Sequence, residues 1–303
     1  MVDVTSQPNH LPNLGHPHRR IGRRIFDFSR EIAVMGIVNR TPDSFHDQGK
    51  TFELDAAVEA VRQAIADGAD WVDIGGVPFG PGPDVSESEE IDRVLPVVEA
   101  ARRESDTVIS VDTYRVEVAR RAITAGADVV NDTSGLQNPE MADVVADSEA
   151  TLIITHSLAT PPRTPLRNPA YQDVAGQVAS FLRERATLAE EHGVPSERII
   201  LDPGHDLNKN TYHSLELTRR LGEVTSLGYP VLVAVSNKDF IGETLDLPQH
   251  ERLEGTIAAV AVCALQGARI VRVHDIRAVV AAVRMVEAIL GFRPPTTARH
   301  NLV

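Results

Sequence analysis

Eight short apolar runs alternate with stretches of helical spacing from residue 31 onward, and this rhythm limits the folds open to the chain. The runs are IAVMGIVN, WVDIGG, TVISVDT, DVVNDTSG, TLIITHS, RIILDPG, PVLVAVSN and RIVRVHD. Helical segments such as DAAVEAVRQAIADGAD and VEVARRAITAGAD close with Gly-Ala, where a helix stops and the next strand begins. Because parallel strands covered by helices are almost continuously apolar, as several of these runs are, we predict a single (β/α)8 TIM barrel of the α/β class.

An open, doubly wound sheet is the alternative arrangement of the same elements. No G-x-G-x-x-G segment follows a predicted strand, which disfavours a dinucleotide-binding domain. With 303 residues, 42% of them hydrophobic, the chain can bury a large core. We expect the barrel to span residues 30–292, after a poorly ordered lead-in at 1–29 and before a tail at 293–303.

The charge balance argues against nucleic-acid or membrane partners. The chain carries 30 basic and 43 acidic residues, a net charge of −13, so an anionic ligand would need a local basic cluster. The single cysteine, Cys263, cannot form a disulfide within the chain and is expected to pack in the core. The N-terminal segment has no apolar signal region, and the apolar runs are shorter than the roughly 20 residues of a membrane span. These features predict a cytoplasmic protein.

Every predicted strand ends in a polar residue, and in barrels the reactive groups lie at the carboxyl ends of the strands. A single Asp or Asn after a strand often only caps a turn or a helix. Eight such ends favour a binding or catalytic site instead. The residues are Asn39, Asp73, Asp112, Asn131 with Asp132, His156, Asp202, Lys238, and Arg272 with His274.

The two sides of this predicted site differ in charge. The segments SNK and RVH follow the last two strands, where barrels often bind phosphate, and they indicate an anionic substrate group. Asp112, Asn131 and Asp202 suit a flat ligand with N–H donors and acceptors. Alternatively, Arg272 and Lys238 pair with these same acids and hold the barrel mouth together.

Several motifs, in this order, resemble those of the dihydropteroate synthase family, whose members are pterin-binding barrels. They are MGIVNRTPDSF, DIGG with PG, SVDTYRVEVA, NDTSG, LDPG, SNKDFIGETL, ERLEGTIAA and RVHD, and they span about Ile32 to Gly291. The resemblance implies that 6-hydroxymethyl-7,8-dihydropterin diphosphate is joined to p-aminobenzoate, with Mg²⁺ present and pyrophosphate released. Charge neutralisation at the diphosphate would assist departure of the leaving group. The resemblance also implies a homodimer formed through the last helices, although AVVAAVRMVEAILG is equally compatible with packing onto the barrel.

The resemblance assigns roles to residues of this chain. Lys238 and Asp112 are the catalytic candidates, and Lys238 also borders the second-substrate site. The pterin pocket would consist of Asp112, Asn131, Asp202 and Lys238, while Asn39, Arg272 and His274 would bind the diphosphate, with Asn39 also near Mg²⁺.

Departures from the family pattern cluster on the second-substrate side. The family segment GGESTRPG reads GGVPFGPG here, with Val77, Pro78, Phe79 and Gly80 in place of Glu, Ser, Thr and Arg. The segment xGFGK reads HDLNK, which introduces His205, Asp206 and Leu207, and SRKS reads SNKD, which introduces Asn237. The missing hydroxyl and guanidinium are those expected to organise p-aminobenzoate and the diphosphate.

These departures predict a divergent paralogue that accommodates a pterin but makes dihydropteroate weakly or not at all. One alternative is a fully active synthase whose loops tolerate the changes. Another is a non-catalytic pterin-binding protein. A third is an unrelated barrel lyase that uses Lys238 as a Schiff-base nucleophile.

Overall fold

The computed structural model describes residues 13–39, 54–78, 84–160, 162–164 and 169–300. Phe79 and Gly80, two of the altered loop residues, lie outside the described residues, and so does the side chain of Asn39.

A two-stranded antiparallel hairpin precedes the barrel. Its strands, β1 (His18–Ile21) and β2 (Arg24–Asp27), are joined by a turn at Gly22, whose φ of 56° suits glycine. The prediction of a poorly ordered lead-in is therefore wrong for these residues. The apolar residues Ile21, Phe26 and Phe28 are buried. The many arginines between them made this short apolar pattern hard to recognise in the sequence.

The barrel alternates strands and helices from residue 33 to residue 289. In chain order the elements are β3 (Ala33–Asn39), α1 (Leu54–Ala66), β4 (Trp71–Gly75), α2 (Glu87–Glu104), β5 (Val108–Asp112), α3 (Val116–Ala125), β6 (Val129–Asp132), α4 (Glu140–Ala146), β7 (Thr151–Thr155), α5 (Val174–Glu191), β8 (Ile199–Asp202), α6 (Thr211–Arg219), α7 (Gly222–Thr225), β9 (Leu232–Val233), α8 (Asp239–Leu245), α9 (Leu253–Leu265), β10 (Ile270–Val273) and α10 (Ile276–Ile289). Two 3-10 turns, Ser196–Arg198 and Gln249–Glu251, precede β8 and α9.

All eight barrel strands run parallel, in the order β8-β7-β6-β5-β4-β3-β10-β9. A parallel bridge between Leu201 and Val231 joins β8 to the segment leading into β9, and this bridge closes the ring. The predicted TIM barrel is confirmed, and the open doubly wound sheet is wrong.

Strand alternation divides the barrel interior into two layers. Successive side chains of a strand point to opposite faces, so residues two apart share a face. A lower layer of Trp71, Val108, Val129, Ile153, Ile200 and Ile270 forms one apolar cluster with Phe26 and Phe28 of the hairpin segment. Two residues further along these strands, the same inward columns carry Asp73, Ser110, Asn131, Thr155, Asp202 and Arg272. The hairpin thus closes the bottom of the barrel, and the polar layer is at the opposite, carboxyl end of the strands.

Buried Arg19 attaches the hairpin to the barrel. Its guanidinium Nη1 donates to the carbonyl oxygens of Ser196, Glu197 and Ile199 at 3.2, 2.8 and 2.7 Å. Two of these carbonyls belong to the 3-10 turn before β8, and the third belongs to Ile199, the first residue of β8. Among the described helices, none has the length and apolar character that crossing a bilayer would require.

We predict that the hairpin segment contributes substantially to stability through Phe28, which is fully buried in the lower layer. Phe28→Ala should lower the free energy of unfolding by about 3–5 kcal/mol, because it removes a large buried ring and leaves a cavity. Ile25→Ala is the matched control, since Ile25 lies in β2 with 67% of its surface exposed. Urea unfolding measures both. A Phe28 variant as stable as the Ile25 variant would contradict this role.

Candidate functional site

Three acceptor side chains converge at the carboxyl ends of the barrel strands. Asp112 of β5 is paired in register with Asn131 of β6, and Asp202 ends β8. All three are at least 96% buried, since their exposed fractions are 3, 1 and 4%. Asn131 Oδ1 accepts no hydrogen bond from any described residue. A buried acceptor in this condition marks a place where a ligand donor would be stabilised.

Asp73 organises this layer from β4. Its Oδ2 accepts from Arg272 Nε at 2.6 Å and from Asn131 Nδ2 at 3.2 Å, while Oδ1 accepts from Ser110 Oγ at 2.5 Å. Asp73 therefore fixes the orientation of both an arginine and the pocket amide. From the sequence, Asp73 was one of several polar residues at strand ends. Its organising role could not be predicted, because the segment WVDIGG does not show which side chains Asp73 contacts.

Arg272 is bound by acids of the protein itself. Besides Asp73, its Nη2 lies 3.3 Å from Asp112 Oδ2. Burial lowers the pKa of Arg272, but Asp73 and Asp112 together raise it above its usual value. The ion pair with Asp112 agrees with the Arg272 part of the alternative prediction. Among the described residues, Lys238 forms no ion pair with Asp112 or Asp202, so its part stays a prediction.

Arg163, in the segment between β7 and α5, reaches the same carboxylate from the other side. Its Nη2 donates to Asp112 Oδ1 at 2.5 Å and to Thr133 Oγ1 at 3.2 Å, and its Nη1 donates to the carbonyl of Val77 at 2.5 Å. The side chain is only 5% exposed. Sequence reasoning missed this residue, because the PPRTP segment has neither periodicity nor a motif that predicts an inward arginine.

The pocket carboxyls have raised pKa values. Burial raises the pKa of Asp112, against the opposing effect of Arg163 and Arg272. Burial also raises the pKa of Asp202 to about 6, although its carboxylate accepts from Gly204 N at 2.7 Å and is near Lys238. Lys238 itself lies at the N-terminus of α8 and is half-buried. The predicted association of Lys238 with the acceptor group is consistent with this position, and its role in chemistry stays a prediction.

His274 and Ser236 connect the last two strand ends. His274 Nδ1 lies 3.1 Å from Ser236 Oγ, and the His274 backbone N–H donates to the same hydroxyl at 3.2 Å. Because Arg272 and His274 are two apart in β10 and its continuation, both lie on the inward side of that strand. The two residues therefore share one side of the barrel mouth, as the sequence suggested for a diphosphate site.

The altered segment after β8 is integrated into the fold. Asp206 accepts from Ser214 Oγ at 2.8 Å and from Phe240 N at 3.2 Å. Asn208 Oδ1 accepts from the backbone of Leu158 and Ala159 at 2.8 and 3.1 Å. These bonds tie the segment to the loop after β7 and to α8, so the altered residues have structural partners.

Within the same segment, buried Lys209 donates from Nζ to Gly204 O at 2.8 Å and to Leu207 O at 3.0 Å. It also lies 2.9 Å from His156 Nδ1, and burial lowers the pKa of Lys209 to about 7. His205 is 1% exposed and stacks on Phe240, and burial lowers its pKa to about 3. His205 is therefore neutral at physiological pH and packs as an apolar ring.

Asn237 fills a structural position where the family pattern has an arginine. Its Nδ2 donates to Asp275 at 3.2 Å, and its Oδ1 accepts from Thr256 Oγ1 at 3.2 Å. The residue is 6% exposed. An amide held in this way presents neither the positive charge nor the donor fork of a guanidinium.

The residues that the structure describes do not form a preformed metal cage. The described residues contain no group of three His, Cys, Asp or Glu side chains that could hold a metal. Mg²⁺ usually keeps several waters and binds through one or two protein oxygens together with substrate phosphates. Asn39 ends β3 opposite Gly75, at the same end of the barrel as the acceptor group.

Residues 35–274 of this barrel match the family "Pterin binding enzyme", which places the chain in a pterin-binding class of protein. The "Inactive dihydropteroate synthase 2" of Mycobacterium tuberculosis is 46% identical over 274 residues, which cover 89% of this chain and 86% of that protein. The dihydropteroate synthase of Bacillus subtilis is 42% identical over 266 residues, covering 87% and 90%. The structure of the Xanthomonas albilineans synthase in complex with 7,8-dihydropteroate has a TM-score of 0.80 at 37% identity, covering 90% and 98%. The chain belongs to the dihydropteroate synthase family.

We predict that the Asp202 carboxylate reduces stability at neutral pH. Its pKa is about 6 when folded against an ordinary value of 3.8, so the folded state holds the proton more tightly and stability falls as pH rises between these values. Relative to the wild type, Asp202→Asn should gain roughly 2 kcal/mol of unfolding free energy between pH 4 and pH 7.5. Urea titrations at the two pH values measure this, with exposed Glu99→Gln as the control. A difference that does not change with pH would contradict the assignment.

Proposed function

We propose that this protein binds a pterin, and its diphosphate, in the acceptor group at the barrel mouth and makes dihydropteroate weakly or not at all. The observation that carries this proposal is the combination of a complete acceptor set with second-substrate loops whose altered residues are held by internal bonds. Membership of the dihydropteroate synthase family supports the pterin as the ligand. A relative at 46% identity that is named inactive supports the low activity.

The pterin pocket would consist of Asn131, Asp202, Asp112 and Lys238. Asp202, as a carboxylate, can accept from a ring N–H and an exocyclic amino group together, and Asn131 Oδ1 has no other donor among the described residues. A solved relative at 37% identity holds 7,8-dihydropteroate, which contains this pterin ring.

The diphosphate would lie toward Arg272, His274 and Asn39, with Mg²⁺ bound mainly by the diphosphate oxygens. The ion would neutralise charge on the leaving group. Arg272 already compensates Asp73 and Asp112, so only part of its donor fork is available to an anion. This sharing favours weaker stabilisation of the leaving pyrophosphate than an unpaired arginine would provide.

The second-substrate side carries the proposed defect. Asn237 replaces a guanidinium, and Val77 and Pro78 begin a loop without the Ser, Thr and Arg of the family pattern. Each charged hydrogen bond lost contributes about 1.5–3 kcal/mol. Because the altered residues Asp206 and Asn237 have well-formed internal partners, we infer a rebuilt site and not random decay.

We predict slow turnover with the family's substrates. Purified protein given 6-hydroxymethyl-7,8-dihydropterin diphosphate, Mg²⁺ and p-aminobenzoate should release pyrophosphate and form dihydropteroate at least ~100-fold more slowly than an active synthase, since two or more stabilising bonds are lost. Asp202→Asn should abolish any residual turnover. Exposed Glu99→Gln is the matched control.

Turnover within about tenfold of the active synthase would overturn the proposal and show that the altered loops are tolerated. Tight binding of the pterin diphosphate with no turnover of any arylamine would instead assign a non-catalytic, pterin-binding role. Family membership leaves the Schiff-base lyase without support.

We also infer a homodimer through the last helices and a cytoplasmic location. Val262 and Leu265 of α9 and Met285 and Ile289 of α10 are 42–68% exposed on adjacent helices, which favours an apolar interface. The location is supported by Cys263, which is buried and has no second cysteine in the chain for a disulfide.

We predict that Met285→Glu with Ile289→Glu converts the dimer to a monomer, because it places two charges in the apolar interface. Sedimentation velocity at micromolar protein concentration measures the change. Tyr212→Glu is the matched control, since Tyr212 is 81% exposed on α6. A wild-type protein that sediments as a monomer would rule out the proposed dimer.

A further inference from the structure

The side chain of Arg163 occupies part of the proposed pterin pocket. Its Nη2 is 2.5 Å from Asp112 Oδ1 and 3.2 Å from Thr133 Oγ1, and its Nη1 is 2.5 Å from the carbonyl of Val77. The guanidinium also lies over the ring of Tyr114, with 5.4 Å between Cζ and the ring centroid. One arginine thus joins the segments that follow β4, β5, β6 and β7.

The chemistry of this contact resembles that of the proposed ligand. A guanidinium is planar and presents a rigid fork of N–H donors to a carboxylate. The amino-pyrimidinone edge of a pterin is also planar and presents an amino group beside a ring N–H. Asp112 therefore receives from Arg163 the kind of donor that it would otherwise receive from the ring.

The other acceptors of the pocket are not engaged in this way. Asn131 Oδ1 has no donor among the described residues, and the hydrogen bonds to Asp202 come from Gly204 N at 2.7 Å and Thr155 Oγ1 at 3.4 Å. The protein thus blocks one acceptor, Asp112, while two remain suited to a ligand.

We propose that Arg163 is an internal competitor for the pterin pocket, so that a pterin binds at Asp112 only when it displaces the guanidinium. This inference rests on the proposed function. Arg163 would then determine which first ligand the protein accepts. A ligand would have to donate hydrogen bonds to Asp112 that are at least as strong as those of the arginine.

Displacement is compatible with the surrounding structure. Arg163 has a φ of 64°, a left-handed conformation that is disfavoured for arginine. When Arg163 leaves, Asp112 keeps its ion pair with Arg272 at 3.3 Å. The buried carboxylate therefore stays compensated by a positive charge.

The test is isothermal titration of the full-length protein with 6-hydroxymethyl-7,8-dihydropterin. Arg163→Gln and Arg163→Ala should each bind about tenfold more tightly than the wild type, because a competing charged hydrogen bond is removed. Arg183→Gln is the matched control, since Arg183 is exposed on α5, and it should bind as the wild type does.

A second measurement needs no variant. Trypsin cleaves after arginine, and Arg163 is followed by Thr164, so the pterin should accelerate cleavage at this bond in the wild type at least severalfold. Mass spectrometry of the fragments identifies the cut.

The outcomes separate the two proposals. Wild type and variants that bind the pterin equally, or variants that bind it more weakly, overturn the role of Arg163 and leave the proposed pterin pocket intact. Absence of pterin binding in all proteins overturns the proposed function, and the competitor role with it. Protection of the Arg163–Thr164 bond by the pterin also overturns the competitor role.

Discussion

Burial of Asp73, Asp112 and Asp202 in the mouth of one barrel is the constraint on which the rest of the site depends. Carboxylates removed from water need positive charge and hydrogen bonds nearby, and removal of one partner leaves a buried charge uncompensated. Arg272 bridges Asp73 and Asp112, and Arg163 adds a second contact to Asp112. Buried carboxylates would accept hydrogen bonds from a ring that carries several N–H donors. For the same reason, they need the positive charges that Arg272 and Arg163 provide.

The residues that stabilise the barrel and the residues of the candidate site lie at opposite ends of the strands. Below the acids, an apolar layer closed by Phe26 and Phe28 supplies packing, and this layer does not depend on the loops above it. The loops can therefore change extensively while the strands and the acceptor group persist. This separation allows loop sequences to diverge while the fold remains that of the dihydropteroate synthase family, one member of which is 42% identical to this chain.

Two kinds of feature could be predicted from the sequence: the repeating strand–helix units and the polar residue at the end of each strand. Alternation of strand and helix was sufficient for the barrel, and the polar strand ends located Asp112, Asn131 and Asp202, which the structure brings together. The hairpin was missed because Arg19, Arg20, Arg23 and Arg24 dilute its apolar pattern. Arg163 was missed because its place is set by contacts between loops distant in sequence, and no local pattern encodes such contacts.

The altered loops lack side chains of the family pattern, and the residues that stand in their place form hydrogen bonds of their own. Asn237, Asp206 and Asn208 are each held by two or more hydrogen bonds to neighbouring segments, and such networks do not arise from the removal of groups alone. A loop bound in this way resists movement, because movement would break bonds that are already formed. The bonds of the loop after β8 therefore hold that side of the barrel mouth in one conformation, whereas the proposed first ligand has to displace only the Arg163 contact at Asp112.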